Sequence, residues 1–232
     1  MPVSEVRPWD KGIVVAIDGP SGSGKSSTSR AVAAELGLRY LDTGAQYRAM
    51  TWSMLEHGVD LGDPAAIVEA SLWPRLESGT DPEAPTISVD GRRVDAEIRT
   101  AAVTAAVSSV AGVQAVRTRL IESQREHIRT ALAEGPGIVV EGRDIAEVVW
   151  PVAQAKIYLT ADQAVRAARR EAENGGDDVA RTQADLARRD AEDARTTRPL
   201  DAAPGAVVVD GTYLSLAEVV ARIVGIAAAS VG

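Results

Sequence analysis

Residues 19–26 read Gly-Pro-Ser-Gly-Ser-Gly-Lys-Ser, a G-x-x-x-x-G-K-[ST] loop whose two flanks leave few folds open. Ahead of it, Ile13-Val14-Val15-Ala16-Ile17 is an apolar, mostly β-branched run that predicts a buried strand. Behind it, Ser27 to Leu36 set Ala31, Val32, Ala34 and Leu36 on one helical face, and Gly37 stops the pattern. A chain that enters a glycine turn as strand and leaves it as helix aims backbone N–H groups and a positive dipole end at an anion. The glycines let the backbone curl around phosphate oxygens with no Cβ in the way. Gly19, Pro20, Ser21, Gly22, Ser23, Gly24, Lys25, Ser26 and Ser27 are therefore the candidate ATP-binding residues. In such a loop the lysine reaches the β- and γ-phosphates and the hydroxyl at the position of Ser26 ligates Mg2+.

The rest of the chain alternates short strand patterns with longer helical ones, which predicts an α/β fold with a central parallel β-sheet flanked by helices. Strands are expected at Arg39-Tyr40-Leu41, Ile138-Val139-Val140-Glu141, Ala155 to Leu159 and Ala206 to Val209. Helices are expected at Ala45 to His57, Pro64 to Glu77, Thr100 to Val110, Val113 to Leu132, Asp162 to Glu173, Thr182 to Ala194 and Ser215 to Ala229. Ser215 followed by Glu218 is a capping-box spacing, and Asp63-Pro64 is an N-cap followed by a proline at N1. One segment breaks the alternation. Thr86 to Val94 carries β-type residues on both sides of Asp90-Gly91, a hairpin signal, so an antiparallel piece is expected outside the main sheet.

Composition narrows the function classes. A net charge of −8 and an aromatic content of 3% argue against a nucleic-acid binder. No stretch approaches the roughly 18 apolar residues of a membrane span. Residues 1–11 lack the apolar core of a secretory signal, and the absence of cysteine suits a reducing cytoplasm. It also removes thiolate nucleophiles and cysteine zinc sites. His57 and His127 fall within helical patterns, where each reads as a surface or boundary residue rather than a base. Apart from Lys11, Lys25 and Lys156 the basic residues are all arginine, whose planar fork suits phosphate.

Parallel sheets bind ligands beyond the carboxyl ends of their strands. Two polar clusters fall there: Asp42-Thr43-Gly44-Ala45-Gln46-Tyr47-Arg48 after one strand and Gly142-Arg143-Asp144 after another. Thr43 can cap the following helix and bond an acceptor phosphate, with Arg48 about a turn and a half further on. Taken singly, each also reads as an ordinary cap or a solvated helix face.

As an ordered series these pieces resemble the bacterial cytidylate kinases, nucleoside monophosphate kinases, over nearly the whole chain. The matching residues are Asp18 to Ser26, Asp42 to Arg48, Glu97-Ile98-Arg99, Val116-Arg117, Gln124-Arg125, Gly142-Arg143-Asp144 and Arg189-Asp190. The resemblance implies one domain: a core over 12–60, 135–165 and 204–232, an NMP-binding insert over about 61–134, and an arginine-rich helical lid over about 166–203. It implies that Thr43, Arg48 and Arg143 hold the acceptor phosphate of CMP or dCMP, and that Ser108, Arg117 and Asp144 read the cytosine. A carboxylate accepts from the 4-amino group of cytosine but faces an acceptor on uracil. Arg189 and Arg195 would close on the phosphates and Asp193 would meet the ribose. The spacing after Arg189-Asp190 departs from the family by one residue, which leaves Arg195 and Arg198 as alternatives for that place. Ala146-Glu147 stands where the family commonly has Gly-Thr, and Glu147 is expected to point away from the site.

The implied activity is ATP-dependent, Mg2+-assisted phosphorylation of CMP and dCMP, with Lys25, Arg143, Arg189 and Arg195 catalytic. The implied partners are ATP and CMP or dCMP, with neither nucleic acid nor membrane, in a cytoplasmic monomer. Another small-molecule kinase or a catalytically idle nucleotide binder shares the loop. A GTP-hydrolysing switch would need an Asn-Lys-x-Asp segment, which the sequence lacks.

Overall fold

An unbroken apolar, mostly β-branched run explains how one strand, Ile13–Asp18 (β1), comes to lie in the middle of the molecule. Every residue of it is buried, and successive side chains face opposite sides of the sheet. Ile13, Val15 and Ile17 pack with Val32, Leu36 and Ile223 on one side, while Val14 and Ala16 pack with Ile121, Ile128 and Ile145 on the other. Helices therefore cover both faces, as a parallel sheet requires.

The computed structural model describes residues 12–174 and 201–231, with residues 183, 184, 187 and 191 between them. Lys25–Leu36 (α1) follows β1, then Arg39–Asp42 (β2), Thr43–Glu56 (α2) and Pro64–Ala70 (α3). Three short strands come next: Leu76–Gly79 (β3), Thr86–Val89 (β4) and Arg92–Arg93 (β5). Ala101–Ala111 (α4), Gln114–Glu134 (α5), Gly137–Gly142 (β6), Ala155–Thr160 (β7) and Gln163–Asn174 (α6) lead to Val207–Asp210 (β8) and a closing helix, Leu216–Ala229. The main sheet runs β2-β6-β1-β7-β8 with every pairing parallel. The predicted α/β architecture is thus present. The expected capping box also forms, with Ser215 and Glu218 satisfying each other's backbone N–H groups.

The hairpin lies outside that sheet, as expected. β4 and β5 pair antiparallel with Val89 opposite Arg92, and Asp90 and Gly91 both take positive φ, the geometry of a tight two-residue turn. The sheet has a third strand that the sequence reading missed. Pro64 to Glu77 was expected to be one helix, but α3 ends at Ala70 and β3 pairs with β4 from Leu76↔Val89 to Gly79↔Thr86. Pro74 is the reason. It cannot donate within a helix and drives the residue before it away from the α region.

Two other expectations change. Thr43 does not cap α2; the Asp42 carboxylate does, accepting from Ala45 N at 2.9 Å. Residues 145–149, left without an element by the sequence reading, form a single wide turn of π-helix. Most of the helix expected over 182–194 lies outside the described residues, as do Arg189, Asp193, Arg195 and Arg198.

Candidate active site

The glycine loop leaves the carboxyl end of the central strand, where a ligand can be reached from both neighbours. Gly19 has φ 150, and a Cβ there would lie 2.0 Å from the carbonyl oxygen of Leu159 on β7, so only glycine lets the loop turn so close to the sheet. Gly24 precedes α1 in a left-handed conformation and offers no side-chain cap. The first-turn N–H groups of α1 are consequently left to an external acceptor. Lys25 donates to the carbonyl of Pro20 at 2.7 Å and curls back over the loop. Burial and then the neighbouring Arg143 push its ammonium down to about 7, against the opposing pull of Glu141, Asp18 and Asp42. A polyphosphate at the loop would add negative charge to that of these carboxylates and favour the charged ammonium.

Two arginines brace the loop from the other side. Arg166 is buried and donates to the Ser21 carbonyl at 2.9 Å, and Arg169 donates to Ser23 O at 3.3 Å and Gly211 O at 2.7 Å. Both were read from the sequence only as members of an arginine-rich, lid-like stretch. Their guanidinium groups add positive charge behind the phosphate cradle while fixing its carbonyls outward. The sequence signal was present in Arg166, Arg169 and Arg170 recurring on one helical repeat.

The facing wall is built from side chains. Thr43 is buried and donates its hydroxyl to the Glu141 carbonyl at 2.8 Å, which ties the start of α2 to the end of β6. Arg48 reaches over α4, donating to Ile98 O at 3.1 Å and Thr104 Oγ1 at 3.0 Å. Arg143 reaches across to the glycine loop and donates to Gly19 O at 2.8 Å. Arg117 on α5 and Asp144 form an ion pair whose side chains are only 10% and 11% exposed. Asp18, at the end of β1, fixes the segment carrying these residues. Its two carboxylate oxygens accept from Ile145 N at 2.8 Å and Ala146 N at 2.9 Å, and burial pushes its pKa up to about 6.

One cleft is lined by Ser21, Gly22, Gly24, Lys25, Ser26 and Ser27 on the loop side, and by Thr43, Arg48, Ser108, Arg117, Arg143 and Asp144 on the other. All six residues expected at the acceptor among the described residues are therefore in the same cavity as the loop. Gly19, Pro20 and Ser23 belong to the loop's frame rather than to the lining. Glu147 is exposed and absent from the lining, as expected, and neither histidine reaches the cleft.

Glu141 was missed as a site residue. It is buried in the floor, accepts a hydrogen bond from the Tyr40 hydroxyl, and is pushed up to about 7 by burial and by Asp42, with Lys25, Tyr40 and Ser26 pulling the other way. An acid closing the apolar run Ile138-Val139-Val140 at a strand's carboxyl end was the available signal. Asp42, Tyr47, Arg99 and Arg170 also line the cleft.

A phosphate cradle on the central strand of a parallel sheet, facing a cation-lined pocket, defines a P-loop nucleotide-binding protein. The family model for cytidylate kinase matches residues 15–229, and the chain belongs to that family. A cytidylate kinase of Streptomyces avermitilis is 55% identical over 91% of each chain, and one of Nocardia farcinica is 50% identical over the same shares. A gluconokinase structure from Sinorhizobium meliloti superposes with a TM-score of 0.49 at 18% identity, covering 97% of this chain and 94% of its own. No helix among the described residues is long and apolar enough to cross a membrane.

Proposed function

We propose that this protein transfers the γ-phosphoryl group of ATP to the 5′-phosphate of CMP and dCMP, giving ADP and the cytidine diphosphate. The observation that carries the reading is the sharing of one cleft by the glycine loop and by Arg48, Arg117, Arg143 and Asp144. The acceptor is a phosphate oxygen, already nucleophilic at pH 7, so the site needs alignment and charge neutralisation rather than a strong base. An acceptor oxygen forms the new bond to the γ-phosphorus as the bond to the β–γ bridging oxygen breaks. The electron pair leaves on ADP.

Lys25 and the α1 amides hold the donor phosphates. Thr43, Arg48 and Arg143 hold the acceptor phosphate, and Arg143, bonded to Gly19 O, stands between the two. Ser108, Arg117 and Asp144 read the base, with Asp144 accepting from the 4-amino group. In the same reading Arg189 and Arg195 screen the transferring group, Arg198 remains the alternative to Arg195, and Asp193 meets the ribose.

The donor set suits Mg2+ held mainly by phosphate oxygens and water. Ser26 and the carboxylates of Asp42 and Glu141 line the cleft, and no group of three His, Cys, Asp or Glu among the described residues forms a protein cage. When bound there, Mg2+ neutralises charge on the donor phosphates. The protein acts as a cytoplasmic monomer, with an insert over about 61–134 above the nucleoside and a lid over about 166–203.

The test is an ADP-release assay across nucleoside monophosphates. CMP and dCMP are expected to exceed UMP, AMP and GMP in kcat/KM. Equal rates across the panel, or none above background, would refute the proposal.

A further inference from the structure

The antiparallel sheet is joined to the glycine-loop helix by one side chain. Arg30 lies on α1, one turn beyond Ser26 and Ser27, so the three residues share a helix face. Its Nε donates to Pro82 O at 2.8 Å and its Nη2 to Glu83 O at 3.0 Å. Both acceptors sit in the loop between β3 and β4. Pro82 and Pro85 restrict the backbone there, and the Asp81 carboxylate accepts from Glu83 N at 2.9 Å. The two carbonyls are thus held ready for a guanidinium fork at little entropic cost. Close by, Tyr40 N on the edge strand β2 donates to Thr80 O at 2.9 Å, and Gln46 on α2 donates to Ser78 Oγ at 3.1 Å. The β3–β4 unit is therefore clasped to the core at the helix that cradles the donor and at the strand end that opens the acceptor wall.

We infer that Arg30 is a positioning residue for the acceptor site: it keeps the antiparallel sheet docked on the glycine-loop helix and so maintains the closed arrangement that CMP binds. Arg30 touches neither substrate in this role. The inference rests on the function proposed above for its kinetic arm alone. Binding to a state that is only partly populated weakens in proportion to that population. Arg30→Met removes both bonds, whereas Arg30→Lys keeps donors but loses the fixed fork that fits the two carbonyls.

Amide hydrogen exchange and steady-state kinetics on the full chain test this together. In the absence of nucleotide, Arg30→Met is expected to accelerate exchange over residues 78–93 while leaving β1, β6 and β7 protected as in the parent. In turnover it raises KM for CMP by roughly tenfold and KM for ATP by less than about twofold, with Arg30→Lys between parent and Met. Unchanged exchange over 78–93, or equal rises in both KM values, would overturn the inference. If the parent itself turns over no nucleotide, the functional reading falls, and the exchange arm still decides the clasp.

Discussion

The two halves of the cleft are made in different ways. The donor half is backbone: a strand, a glycine turn and the uncapped start of α1, contiguous from Ile13 to Leu36. The acceptor half is side chain, and its contributors come from α2, α4, α5 and the end of β6, from Thr43 to Asp144. Backbone amides recognise any phosphate and say little about what it is attached to. Side chains such as the Arg117–Asp144 pair can distinguish a base, because their donors and acceptors must be matched or left unpaired in a buried place. In the proposed reading, generality sits on one wall and specificity on the other.

That contrast can be broken most sharply at Lys25, the loop's own charged side chain on the donor wall. Lys25→Met is expected to lower kcat by about 10²–10³-fold, read in the ADP-release assay, with folding preserved by circular dichroism. A loss confined to KM for CMP would place this lysine on the wrong wall.

Next in size, Asp144→Ala should erode the preference for CMP over UMP by roughly 10–100-fold while KM for ATP moves less than about twofold. Part of that loss reflects Arg117 left in a buried place without its carboxylate. Equal losses for both substrates would deny that the acceptor wall reads the base.

The segment that carries Arg143 and Asp144 is held by Asp18, and Asp18→Asn probes that hold. An amide can accept from only one of Ile145 N and Ala146 N, so about 1–3 kcal/mol of stability should be lost in denaturant unfolding. The pH dependence has a definite sign. Asp18 is raised to about 6, so the folded state binds its proton more tightly than the unfolded state does, and its contribution falls as pH rises from about 4 to about 6. The parent-minus-variant difference should shrink across that window and be flat above it.

Tyr40→Phe is the mildest. It removes the donor to buried Glu141, costing about 1 kcal/mol, and more at pH 8 than at pH 5, because the lost bond favours the ionised carboxylate. A cost that is constant with pH would mean that Glu141 does not titrate in this range.

The same contrast explains what could be read in advance. An anion cradle built from consecutive backbone groups leaves its requirements in consecutive residues, so Gly19 to Ser27 were legible, as was the parallel sheet around them. The acceptor residues are separated by many positions and each, alone, looks like a cap or a surface charge. Only their order, matched to a family, singled out Ser108 and Arg117. Glu141 escaped because an acid at a strand end has many uses, and its burial depends on β2 and β1 closing around β6. Thr43 was misjudged as a cap because Asp42 beside it is an equally good one, and tertiary contact with Glu141 decided between them. The strand at Leu76–Gly79 was hidden because its partner, β4, determines its conformation more than its own Leu-Glu-Ser-Gly composition does.

The most direct measurement of the central claim is inhibition by a compound that joins cytidine and adenosine through a polyphosphate chain. If the two walls hold donor and acceptor end to end, it should compete with both ATP and CMP and bind more tightly than either. Competition with ATP alone, at an affinity no better than that of the adenosine half, would contradict the account.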